Sequence, residues 1–140
     1  MREQRSVSLD EARQVIAGGE GKARELGQPS NVAVVDAGGN LVAHIRMDGA
    51  WIGSVDIAIN KAFTARAFDT STAELAGFAQ PGKQFFGIHN SNDGRVMIFA
   101  GGIPLQADGQ VVGAVGVSGG TGEQDQDVAE AAAAAFRPAG

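Results

Sequence analysis

Cysteine is absent from the 140-residue chain, which removes any disulfide framework and any thiolate metal site. Histidine occurs only twice, so few imidazoles are available for metal or proton chemistry. No apolar run approaches the roughly 18 residues of a membrane span. The opening "MREQRSVSLDEAR" lacks the apolar centre of a signal peptide, and the expectation is a soluble, cytoplasmic protein with no membrane partner. Lysine and arginine nowhere cluster and the formal net charge is −5, so the electrostatic footprint of a nucleic-acid binder is missing too. HExxH and the phosphate-binding GxxxxGK[ST] are also absent, and no catalytic triad has specific support.

Glycine, by contrast, is abundant, at 21 residues against 4 prolines. The glycines gather between apolar segments, where they read as tight turns and close backbone approaches. A hydrophobic content of 44% and a charged content of 19% are those of an ordinary globular protein. The length fits one domain over residues 1–140, and no internal repeat or linker divides it.

Ser8-Leu9-Asp10-Glu11 is a capping box, and Leu9, Ala12, Ile16, Ala23 and Leu26 behind it share one helical face until Gly27. Gly18, Gly19 and Gly21 oppose that helix, each costing about 1 kcal/mol against alanine, and imply that something packs closely there. "NVAVVDAGGNLVAHIRMD" reads as two strands around a Gly-Gly turn. Alternation puts Leu41, Ala43, Ile45 and Met47 on one face of the second strand, and Val42, His44 and Arg46 on the other. A helix over Ile52–Phe68 and a weaker one near Thr72–Phe78 follow, then "RVMIFA" as a strand. "IPLQADGQVVGAVGVS" is a second hairpin turning at Asp108-Gly109, and a capping box at Thr121–Gln124 opens a last helix to Phe136. The order predicts an α+β fold, a five-stranded, mainly antiparallel sheet with helices on both faces.

Within "RMDGAWIGSVDIAINKAFTARAF" the charged Arg46, Asp48 and Lys61 stand in an apolar run. Lys61 is read either as one half of an ion pair with Asp48 or Asp56, or as a pocket lysine whose pKa burial would tune. Arg46 is read as an internal salt bridge to Asp48 or Asp36, or as a fork for a ligand carboxylate. His44 on the strand is read either as a metal or haem-iron ligand or, more plainly, as a satisfied packing residue, and His89 in the loop "GIHNSNDGR" as an exposed loop histidine. "GVSGGTGEQD" places free amides at a helix start, where Ser118 and Thr121 could face an anion or a pocket.

"VVDAGGNLVAHIRMDGA", "IAINKAFTARAF", "AGGIPL" and "GQVVGAVGVSGGTGEQDQDVAEAA" together resemble the GlcG/HbpS family of small haem-binding or haem-degrading domains, also found at the C-terminus of PduO-type proteins. The likeness runs from about Val7 to Phe136. It implies a profilin-like sandwich with a five-stranded sheet, homo-oligomers and a setting in catabolic operons. It makes Arg46, Asp48, Lys61, Gly101, Gly102, Pro104, Ser118, Gly119 and Asp125 the matching positions, converging on one pocket or oligomer seam. Where some haem-binding members carry a ligand histidine in the first helix, Ser8–Leu26 has none.

The expected function is therefore a haem-binding protein assisting haem degradation, with propionates met by Arg46 or Lys61 and iron by His44 or His89. The alternative is a cofactor-free enzyme acting on a small carboxylic acid, Arg46 holding the carboxylate while Lys61 or Asp48 transfers a proton. A purely structural oligomeric protein is the third reading. For assembly, the helix glycines and the resemblance predict a homo-oligomer larger than a dimer, with the first helix near a subunit contact.

Overall fold

The computed structural model describes residues 1–139. Four helices and four strands follow in the order α1 (Leu9–Leu26), β1 (Asn31–Asp36), β2 (Leu41–Arg46), α2 (Gly53–Phe68), α3 (Thr72–Phe78), β3 (Gly102–Ala107), β4 (Gln110–Ser118) and α4 (Gly122–Ala134). Two single 3-10 turns, Ile88–Asn90 and Asn92–Gly94, lie between α3 and β3. Both capping boxes form. Ser8 and Glu11 close the start of α1, Thr121 and Gln124 that of α4. The second hairpin turns where expected, with Asp108 and Gly109 both at positive φ, as a tight two-residue turn requires.

The sheet is antiparallel in the order β2-β1-β4-β3, so β1 and β4 are central. Val32, Val34, Val115 and Val117 face α1 and α4 and make the larger core with Val15, Ile16 and Val128. Val35 and Ala114 face α2 through Ala62 and Ala65. Helices therefore cover both faces. On the α2 side contact is close: a Cβ at Gly116 would overlap the α2 backbone at Ala58 and Ala62, so glycine there lets helix and strand touch.

The sheet has four strands, not the expected five. "RVMIFA" (Arg95–Ala100) forms no ladder and instead lies against α2. Thr64 Oγ1 donates back to the Asn60 carbonyl of its own helix (2.7 Å) and accepts from the Met97 amide (2.9 Å), while Val96 is buried. The hydroxyl of α2 thus satisfies one backbone donor, the Met97 amide, that a neighbouring strand would have paired. The strict alternation expected of β2 also fails once. A bulge between Val34 and Val35 sets Ala43 opposite Val34 but Leu41 opposite Val35. It turns Val42 away from His44 and Arg46 and onto the larger core.

The glycines of α1 find their packing reason inside the chain. A Cβ at Gly18 would lie 2.5 Å from Ala135 Cβ, and one at Gly19 would lie 3.2 Å from Ala132 Cβ and 3.3 Å from Val32. Gly18 and Gly19 therefore let α4 and β1 approach α1, and the inference of a subunit seam from these two is corrected. Gly21 meets nothing within 4 Å.

Candidate functional site

Lys61 is fully buried on α2. Its Nζ donates to the Val117 carbonyl (2.8 Å) and to Asp125 Oδ2 (3.1 Å), and sits 4.8 Å from the centre of the Phe99 ring. The partner is Asp125 of α4, not Asp48 or Asp56 as the sequence suggested. Asp125 Oδ1 in turn accepts from the Gly120 amide at 2.9 Å. Burial pushes the Lys61 ammonium below its usual pKa, while the Asp125 charge and its hydrogen bond pull back. Gly101, at φ 123, packs on this group: a Cβ there would meet the Val117 carbonyl at 2.6 Å and Lys61 Nζ at 2.9 Å. The Gly102 amide donates to Thr72 Oγ1 at 2.9 Å and closes the same seam. These residues tie α2, β4 and α4 together as a packed ion pair.

Arg46 and Asp48 stand apart from this seam. Both are exposed, and among the described residues neither forms an ion pair, so the expected bridges to each other or to Asp36 are not made. Pro104 lies half-buried on β3 opposite Ala114, and Gly119 packs on Pro29. The expected convergence of all nine matching positions therefore splits.

A second group forms at the end of the sheet near the start of α2. Asn31 on β1 pairs with Arg46 on β2 and with Ser118 on β4, a row whose side chains share one face. His44, two residues before Arg46, shares that face. Fully buried Asn31 donates Nδ2–H to the Trp51 carbonyl (3.1 Å), while its Oδ1 lies 3.0 Å from His44 Nε2. A carbonyl only accepts, so the amide orientation is set by Trp51 and Oδ1 must face the histidine. His44 therefore carries its proton on Nε2, and Nδ1 keeps a lone pair. That Nδ1 has no hydrogen bond among the described residues and is not sealed from solvent. Desolvation first, then the Arg46 charge, hold the His44 pKa below its usual value and keep the ring neutral. Trp51, which supplies the carbonyl bound by Asn31, and Ile52 after it carry bare apolar side chains, 67% and 78% exposed. Asn31 was missed from sequence; an asparagine opening the apolar strand "NVAVVD" was the available signal.

His89 sits in the first 3-10 turn with its ring edge-on to Phe86 (5.7 Å between centroids). Its Nδ1 is buried and makes no hydrogen bond among the described residues.

A family model for the haem degrading protein HbpS-like family matches residues 7–134. An uncharacterized 15.0 kDa protein from the dhaT-dhaS intergenic region of Citrobacter freundii is 43% identical, the alignment covering 94% of this chain and 92% of that protein. The crystal structure of Klebsiella pneumoniae protein ORFY superposes with a TM-score of 0.95 at 41% identity, covering 97% of this chain and 94% of that one. The crystal structure of the PduOC:Heme complex superposes with a TM-score of 0.88 at 38% identity, over 92% and 94% of the two chains. The resemblance carried by the motifs and the match across nearly the whole length agree, and the chain belongs to the HbpS-like haem degrading protein family.

Proposed function

We propose that this protein binds haem through His44, at the sheet end beside the start of α2. The observation that carries the reading is the Trp51–Asn31–His44 chain of hydrogen bonds, which leaves a neutral imidazole with a bare Nδ1 facing outward. Histidines that ligate metals are usually held this way, the second ring nitrogen donating to a fixed oxygen. Haem iron takes such an imidazole as an axial ligand, and a protein tunes it by that second-shell bond and by burial. The residues present fit the group: Trp51 and Ile52 offer apolar cover for a flat macrocycle, and exposed Arg46 offers a cation for a propionate. Lys61 is sealed and paired, so it is left out of the proposed site. The similar PduOC structure, which is a haem complex, supports the class of ligand.

Haem titration followed at the Soret band tests this. A saturable Soret shift at micromolar haem that is lost in His44→Ala and retained in His89→Ala is expected. No shift, or a shift unaffected by His44→Ala, overturns it. No observation favours the enzyme reading, since Lys61 has no exposed surface and Asp48 is exposed and makes no ion pair among the described residues.

We also propose a homo-oligomer larger than a dimer. Its support is now the exposed aromatic surface of Phe68, Phe78, Phe85 and Phe86 rather than the α1 glycines. Light scattering coupled to size exclusion checks it: a species near the 14.3 kDa chain mass would refute the assembly.

A further inference from the structure

Away from the His44 group, at the opposite end of the β1–β2 hairpin, a cavity of about 390 Å³ opens between the Gly38-Gly39 turn and α2. Phe63, Arg66, Asn92 and Arg95 line the rest of it. The two arginines are 29 positions apart in sequence and belong to no basic cluster; the irregular run after α3 brings Arg95 back over α2.

Their environments differ in a useful way. Arg66 is anchored: its Nε donates to the Ala37 carbonyl (2.6 Å) and its Nη1 to Asp69 (2.6 Å). Arg95 lies flat on Phe63, its guanidinium carbon 3.9 Å from the ring centre, with Nε donating to the Asn92 carbonyl at 3.1 Å. Among the described residues Arg95 has no carboxylate partner and its two terminal nitrogens make no hydrogen bond. Asp36, at the end of β1, spends Oδ1 on the amides of Gly38 and Asn40, and Asp93, two residues before Arg95, makes no ion pair with it. Ser91 Oγ gives its proton to the Ile88 carbonyl (2.6 Å) and lies 2.8 Å from the Asn92 side-chain amide, so Asn92 is tied to its own loop. The glycine turn keeps the space open, since a Cβ at Gly39 would sit 3.3 Å from the Phe63 ring.

A guanidinium stacked on an aromatic ring is oriented, and its free edge matches two oxygens of a carboxylate or phosphate. The Arg66 charge is met by Asp69, so Arg95 is the unpaired cation of the cavity and Arg66 adds a donor, its second terminal nitrogen being unused among the described residues. We propose that this cavity binds the oxoanion group, carboxylate or phosphate, of a small metabolite, with Arg95 as the principal donor and Arg66 beside it completing the cradle. The size suits a small molecule rather than a macromolecular segment. The inference is independent of haem binding.

The test is amide chemical-shift titration of the whole protein with inorganic phosphate in one arm and acetate in the other, at constant ionic strength held with chloride. Saturable shifts at Gly38, Gly39, Asn92 and Arg95 in either arm are expected, the tighter arm naming the anion class. Arg95→Gln should weaken binding by about tenfold or more, and Arg95→Lys should fall between, because it keeps the charge and loses the fork. Arg95 is exposed, so both variants should fold. Absence of saturable shifts in both arms, or binding unaltered by Arg95→Gln, overturns the proposal.

Discussion

Lys61 and Asp125 meet at 3.1 Å, from helices α2 and α4, with their side chains 0% and 5% exposed. An ion pair this deep is costly to form and costlier to break, since removing one partner strands the other charge. Lys61→Met should therefore destabilise the fold by about 3 kcal/mol. The double variant Lys61→Met, Asp125→Leu should recover much of that loss. Urea unfolding of the three proteins checks it. A double variant as weak as the single one would mean that the contacts to Val117 and Gly120 matter more than the charges.

His44 gives the fold a pH dependence of definite sign. Its folded pKa lies below the ordinary 6.5, so between those values the unfolded chain binds the extra proton. The associated stability is fully present above 6.5 and is lost as pH falls toward the folded value. Thermal unfolding between pH 7 and 5 should show the loss, and His44→Gln should flatten that part of the profile. Asn31→Asp should move the His44 pKa upward, by placing a carboxylate on Nε2, and histidine proton shifts would follow it directly.

Glu11 acts in the acid range. Its carboxylate accepts from the Ala139 amide (2.7 Å) and the Ser8 amide (2.8 Å), and these bonds, Ala139 first, hold its pKa below the ordinary 4.5. Its contribution is present above 4.5 and lost as pH falls through the lower folded value. Glu11→Gln should cost about 1 kcal/mol at neutral pH, as a weakened cap does, and should remove that acid-side loss. Denaturant midpoints at pH 7 and pH 3 for both proteins measure the difference.

The glycines of α1 should respond oppositely. Gly21→Ala adds a methyl group into open space and should stabilise by about 0.5–1 kcal/mol. Gly18→Ala drives a Cβ to 2.5 Å from Ala135 and should destabilise despite alanine's better helix propensity. Gly19→Leu should lower the stability of the chain itself by about 1–3 kcal/mol through overpacking against Val32 and Ala132, whatever the oligomeric state. Melting temperatures of the three variants decide it.

The features the sequence determined by itself are local ones. Capping boxes at Ser8–Glu11 and Thr121–Gln124, the Asp108-Gly109 turn and the apolar run of β4 each depend on residues within a few positions, and each formed. The tertiary structure decided what depends on distant partners. Lys61 finds Asp125 across 64 positions, and nothing near Lys61 in sequence announces a carboxylate on α4. "RVMIFA" has a strand's composition, yet it lies on α2, where the Thr64 hydroxyl accepts the Met97 amide and Val96 is buried. His44 was legible as a candidate, but the nitrogen it leaves free was not. That depends on Asn31, whose own orientation is set by a single carbonyl, that of Trp51, because a carbonyl can only accept.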